Sequence, residues 1–174
     1  MGEVSASHRV LAIIVQTTTI ELFSSYGIAA APIRAAIQRT PSIDEYAAII
    51  PFRSSTLNGT LSILTEVRTL TRMRQELDNS KALADWTREL TNQLMGRVKN
   101  RLARYNVAVE VGLPSSANRS LLAQYSSGKE TNIEYQFRTL GGWILVVLSG
   151  DFQEPLLTFA GGDGALENGK MVLF

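Results

Sequence analysis

The chain has 174 residues, 45% of them hydrophobic, and a formal net charge of +1. That fits one domain with a sizeable core, and the near-neutral charge gives no electrostatic basis for binding nucleic acid or an anionic membrane. With no cysteine and one histidine, His8, the chain excludes disulfides, thiolate nucleophiles, zinc–thiolate sites, iron–sulfur clusters and a histidine-based triad in its interior, and it fits a cytoplasmic location. The apolar run Val10 to Val15 is too short to span a bilayer and lacks a basic flank. Residues 7–25 read instead as an amphipathic helix carrying Val10, Ile13, Ile14, Thr17, Ile20, Leu22 and Phe23, with Gly27 as its stop just after Tyr26. Residues 28–38 are small and apolar around Pro32, which suggests an edge strand rather than a helix interior. Pro41 to Asp44 reads as a turn.

Tyr46 to Phe52 and Thr60 to Leu64 read as two strands joined through Asn58-Gly59, a strong hairpin signal. Thr65 is the expected N-cap of a short helix, with Glu66 in its first turn and an apolar stripe of Val67, Leu70, Met73 and Leu77. Asp78-Asn79-Ser80 breaks that helix and caps a long one running to about Arg104. On the long helix, Leu83, Trp86, Leu90, Leu94, Val98 and Leu102 make an apolar stripe at i, i+3, i+4 spacing. Asp85, Glu89, Asn92 and Gly96 fall together on the opposite side. A carboxylate and a carboxamide one turn apart thus project into water beside a bare glycine. Taken alone, such residues are most simply a solvated helix face. The basic end of the helix, Arg97, Lys99, Arg101 and Arg104, fits its dipole. Arg68, Arg72 and Arg74 read as a solvated face.

Val107, Val109 and Val111 alternate with Ala108 and Glu110, a strand with one buried face that ends at Gly112-Leu113-Pro114. Residues 115–129, rich in Ser, Asn and Gly, read as a loop or irregular edge. Ile133, Tyr135 and Phe137 alternate with Glu134, Gln136 and Arg138 in a further strand. Gly141-Gly142 turns the chain into Trp143 to Leu148, a strand buried on both faces or lying in a subunit interface. The ordered part is expected to cover about residues 5–160 of a single domain, 1–174, with residues 161–174 a Gly-rich tail. The fold class is α+β, a mostly antiparallel sheet with helices packed on one face.

The stretch from Asn58 to Pro114 resembles the CheX-type domain of the CheC/CheX/FliY family of chemotaxis phosphatases. The matching order is the strand Gly59-Thr60-Leu61-Ser62, a short helix, the long helix from Asp85 to Gly96, then a strand ending in Gly112-Leu113-Pro114. The family motif is Glu-x-x-Asn with a glycine four residues past the asparagine, and Glu89, Asn92 and Gly96 satisfy it. Two-site members repeat the motif on the first helix. Here that helix carries Glu21-Leu22-Phe23-Ser24, and serine lacks the amide, so one site per chain is expected. No further domain of the FliY kind is expected either.

The resemblance implies an enzyme that removes the phosphoryl group from the phosphoaspartate of a CheY-like response regulator. Asn92 would position the attacking water and Glu89 would dock the regulator's lysine, with Asp85 and Gly96 completing the docking face. It implies no cofactor of the chain's own, since Mg²⁺ would come with the phosphorylated partner. A homodimer is expected, joined at sheet edges through the hydrophobic later strands. The alternative is a noncatalytic module that binds a response regulator or another signalling protein through the same face.

Overall fold

A computed structural model describes residues 6–33, 44–129 and 131–152. The expected tail at 161–174, most of the turn around Pro41 and the end of the segment 28–38 lie outside these residues. In chain order the elements are α1 (Ala6–Ser24), β1 (Ala31–Ile33), β2 (Glu45–Arg53), β3 (Leu57–Glu66), α2 (Val67–Met73), α3 (Ser80–Ala103), β4 (Glu110–Val111), β5 (Ser115–Ala117), α4 (Arg119–Ser126), β6 (Thr131–Thr139) and β7 (Gly142–Phe152). The described strands form one antiparallel sheet in the order β1-β6-β7-β3-β2-β4, with β5 also on β2. The α+β class read from the sequence holds.

Strand alternation divides the core between the two faces of this sheet. On one face Ile50, Phe52, Leu57, Leu61, Ile63, Ile133, Phe137, Ile144, Val146 and Leu148 meet the buried stripes of α1 and α3 and Leu70 of α2. On the other, Ala47, Ile49, Leu64 and Trp143 pack with Leu122 of α4. The three helices expected from periodicity therefore share one face. The fourth, which the Ser- and Asn-rich composition had disguised as a loop, sits on the other. Asn118 caps α4 by accepting from the Leu121 N–H at 2.8 Å. Arg119 then ties it down, pairing with the well-buried carboxylate of Glu45 at 2.9 Å and lying 5.5 Å from the Trp143 ring centroid.

Both long helices end in the same way. Gly27, at φ +73°, follows α1, with Ile28 N–H donating to Phe23 C=O at 3.0 Å and Gly27 N–H to Ser24 C=O at 2.9 Å. Asn106, at φ +59°, follows α3, with Val107 N–H donating to Leu102 C=O at 3.2 Å and Asn106 N–H to Ala103 C=O at 3.1 Å. These are Schellman caps, each closed by a buried apolar pair, Phe23 with Ile28 and Leu102 with Val107. The α1 stripe is rotated from the expected one. Leu11, Val15, Thr18 and Thr19 are buried with Ile14, Leu22 and Phe23, while Ile13 is exposed. The threonines can be buried because their hydroxyls donate back to carbonyls one turn earlier: Thr18 to Ile14 at 2.6 Å and Thr19 to Val15 at 2.7 Å.

Three local expectations are corrected. The β2–β3 turn is at Ser54 to Thr56, closed by Ser54 N–H to Leu57 C=O at 2.7 Å and by the Ser54 hydroxyl accepting from Leu57 N–H at 2.9 Å. Asn58 and Gly59 lie inside β3 because Gly59 faces Gly150 across the β3–β7 pair, where the backbones come close. Thr65 is not a helix cap. It stays in β3, its hydroxyl donating to Trp143 C=O at 2.7 Å, and Glu66 holds the N-cap position without a side-chain cap. Finally, the strand before Gly112 is only Glu110–Val111, and it resumes along the same edge as β5. Phe52 faces Val111 and Ile49 faces Ser115, so two residues of β2, Ile50 and Pro51, stand against three, Gly112, Leu113 and Pro114. That is a β-bulge; it leaves Leu113 87% exposed.

A Cβ added at Gly59 would stand 2.2 Å from the Ser149 carbonyl oxygen and 3.0 Å from Gly150 Cα, both backbone atoms. Gly59→Ala is therefore expected to destabilise the fold by roughly 1–3 kcal/mol, read as a lowered urea midpoint. Gly96→Ala, with nothing within 4 Å of the added carbon, should not lower it.

Candidate functional site

The site is built on α3, whose first turn is fixed by Asn79. Its side-chain oxygen accepts from Ala82 N–H at 2.9 Å, as the Asp78-Asn79-Ser80 signal implied. From there the helix buries Leu83, Trp86, Leu90, Leu94, Met95, Val98 and Leu102, together with Thr87 and Thr91. The two threonine hydroxyls donate to Leu83 C=O and Thr87 C=O, each at 2.8 Å, so their burial leaves no unpaired hydroxyl. With that stripe committed to α1 and β2, the orientation of the opposite face follows.

Asp85, Glu89 and Asn92 are exposed on that face, and Gly96 is half-exposed with open space above it. The structure thus brings together the four residues singled out in the sequence, but in different states. Asp85 is engaged in an ion pair with Arg88 of its own helix, so it is the least available of the four. Glu89 has one carboxylate oxygen, Oε1, occupied by the Gln93 amide at 2.8 Å. Its other oxygen accepts no hydrogen bond from a described residue. The Asn92 side chain makes no hydrogen bond to any described residue, so its carboxamide is free to donate and accept at once. Among the described residues nothing lies within 4 Å of a carbon added at Gly96, so packing against them does not account for a residue that costs about 1 kcal/mol in a helix interior.

The corresponding position on α1 is closed. Glu21 is held by Arg101 at 2.6 Å, and Ser24 is exposed with no amide to offer. Arg101 thus has a specific partner as well as the helix dipole. Around the α3 site, Trp86 is core, as its place in the stripe required. The Arg74 guanidinium lies 4.8 Å from its ring centroid, and Tyr26 meets it edge-on at 5.3 Å with planes at 88°. Arg74 also pairs with Glu76 at 2.6 Å. The Glu76 carboxyl is held below the usual carboxylate range, first by a backbone hydrogen bond and then by the Arg74 guanidinium. Sequence reasoning missed one link. The Tyr26 hydroxyl donates to Gln93 Oε1 at 2.8 Å, and no local pattern joins residues so far apart.

Among the described residues no cluster of three or more His, Cys, Asp or Glu could hold a metal ion, and no helix is long and apolar enough to cross a membrane. No family model matches the sequence, and no curated protein matches it. Solved structures do match. A chemotaxis protein CheX from Desulfovibrio desulfuricans is 16% identical with a TM-score of 0.62, covering 81% of this chain and 99% of that one. A CheC-like superfamily protein from Shewanella sp. PV-4 is 15% identical with a TM-score of 0.66, covering 81% and 97%. The chain has a CheX-like fold. A third structure with this fold, a CheX–CheY–BeF3–Mg²⁺ complex from Borrelia burgdorferi, is 14% identical with a TM-score of 0.58, covering 78% and 97%. At such identities the likeness concerns the CheX-like architecture, in agreement with the resemblance read from Asn58 to Pro114.

Glu76 supplies a test of the surroundings of Trp86. A lowered carboxyl pKa contributes stability that is in place above the ordinary value and is lost as pH falls through the lowered one. Acid titration of Trp fluorescence should therefore show a step with a midpoint below about 4.3, the ordinary glutamate value, as Arg74 loses its anion. Glu76→Gln should abolish that step; its persistence would show that Glu76 does not hold Arg74.

Proposed function

We propose that the chain is a phosphatase for the phosphoaspartate of a CheY-like response regulator, acting in two-component signalling of the chemotaxis kind. The observation that carries this reading is Asn92. Its carboxamide is exposed and without a partner among the described residues, one helical turn from a half-free carboxylate and beside a glycine that leaves room for another surface. The CheX-like fold supports it, since a protein of that fold forms the CheX–CheY–BeF3–Mg²⁺ complex.

The chemistry follows from what these groups can do. An amide has no usable pKa near neutrality, so Asn92 is not a general base. It can donate to one oxygen while accepting from a water, which holds that water in line with a phosphorus atom. Glu89 presents a carboxylate oxygen to a cationic group of the regulator, a charge-assisted contact that fixes the approach. Gly96 lets the partner's backbone come close. Asp85, already paired with Arg88, contributes at the margin of the face. On this reading the chain needs no cofactor of its own: Mg²⁺ would be held by the regulator and would supply charge stabilisation for the phosphoryl group.

A homodimer belongs to the same proposal, but its expected basis needs revision. β7 lies inside the sheet between β6 and β3, so this most apolar of the later strands offers no edge.

The test is phosphate release from a purified CheY-like regulator carrying phosphoaspartate, with Mg²⁺. The native chain is expected to accelerate release. Asn92→Ala should lose on the order of 100-fold in turnover, the cost of a misplaced nucleophile, while still docking. Glu89→Ala should weaken docking by about 10- to 100-fold, the worth of a hydrogen bond to a charged group. Docking without acceleration by the native chain would instead identify a noncatalytic binding module.

A further inference from the structure

We propose that Tyr26 is a positioning residue for the docking carboxylate, acting through Gln93. The inference rests on Glu89 being the group that meets the regulator. Its physical basis is a chain of two hydrogen bonds across two helices. The Tyr26 hydroxyl donates to Gln93 Oε1 at 2.8 Å, and Gln93 Nε2 donates to Glu89 Oε1 at 2.8 Å.

The direction of this chain is set by chemistry at one end. A carboxylate only accepts, so the NH2 of Gln93 must face Glu89. Its carbonyl then faces Tyr26, whose hydroxyl must donate. Without that donor the Gln93 side chain loses its part-buried anchor and is held only by its exposed bond to Glu89. The carboxylate thus sets the amide orientation, the phenol holds the amide in place, and the amide selects the Glu89 rotamer. With Oε1 occupied, Oε2 is the oxygen left for a cation of the partner.

Tyr26 is suited to this because it is itself held at two points. Its backbone immediately precedes Gly27 in the Schellman cap, its own N–H donating to Phe23 C=O at 3.1 Å. Its ring meets the edge of Trp86, which is anchored in the core stripe of α3 and faced on another side by Arg74. The hydroxyl–amide bond is part-buried, so water competes less for it than for the exposed Gln93–Glu89 bond. A flexible surface glutamate is thereby ordered from the core outward. Ordering a rotamer-rich side chain before contact removes a cost that binding would otherwise carry.

The experiment measures docking of the full chain to a purified CheY-like regulator carrying phosphoaspartate with Mg²⁺, for the native chain, Tyr26→Phe, Gln93→Ala and Glu89→Ala, and for Tyr26→Phe combined with Glu89→Ala. Tyr26→Phe keeps the ring against Trp86 and removes only the donor. It is expected to raise Kd about three- to tenfold, with the loss falling on docking rather than on turnover at saturating regulator. Gln93→Ala, which leaves the Trp86 contact alone, should reproduce it. In the Glu89→Ala background the tyrosine change should add nothing. If Tyr26→Phe docks like the native chain while Glu89→Ala is weakened, this inference is wrong and the functional reading stands. The inference fails in the same way if the effects of the two changes add. If the native chain does not dock, or Glu89→Ala docks normally, the functional reading falls, and Tyr26 has no docking carboxylate to position.

Discussion

Everything at the candidate site depends on the burial of one stripe of α3. Leu83, Trp86, Leu90, Leu94, Val98 and Leu102 can be removed from water together in only one rotation of the helix about its axis. Each large apolar side chain buried is worth about 1.5–3 kcal/mol, so a rotation that exposed the stripe and turned the polar face inward would cost far more than any surface contact could return. Glu89 and Asn92 are therefore aimed by residues that never touch a ligand. The threonines at positions 87 and 91 fill the flank of the stripe without an unpaired hydroxyl, which keeps the helix seated close to its neighbours.

The sheet serves the same end at longer range. Its β3–β7 pair, at the centre of the strand order, closes around Gly59 and Gly150, where side chains are absent because backbone is already there. This rigid centre carries α1 and α3 on one face. The caps at Gly27 and Asn106 end both helices abruptly, so the chain leaves each without fraying. α4 steadies the opposite face with a different balance of forces. It is held by Leu122, by the Arg119–Glu45 pair and by the Arg119 contact with Trp143 more than by an apolar stripe.

What was legible in the sequence follows these forces. α3, its cap and its polar face could be read directly, because a long 3.6-residue period leaves few alternatives. β6 was legible for the equivalent reason at period two, and β7 as a continuous apolar run. α4 was hidden because it has only eight residues, buries only Leu122, and lies in a Ser- and Asn-rich stretch, so too few turns are present to establish a period. Asn58-Gly59 misled because a glycine says only that something comes close or turns; in this chain a neighbouring strand comes close. Thr65 misled because its hydroxyl finds Trp143 across the sheet rather than its own backbone. At the site, Glu89, Asn92 and Gly96 could be named from spacing. The pairing of Asp85 with Arg88 and of Glu21 with Arg101, and the reach of Tyr26 to Gln93, are tertiary facts that no local pattern encodes.

The bulge at Leu113 and Pro114 has a consequence for how this chain meets other chains. The outer side of β2 would otherwise present a straight ladder that any extended segment could copy. Instead, the covering strand slips by one residue halfway along, and proline removes a donor at the slip. A foreign strand with a regular two-residue repeat would match one half of this edge and be out of phase on the other. The edge works like a keyed slot: it admits its own interrupted strand and denies a template to aggregating segments.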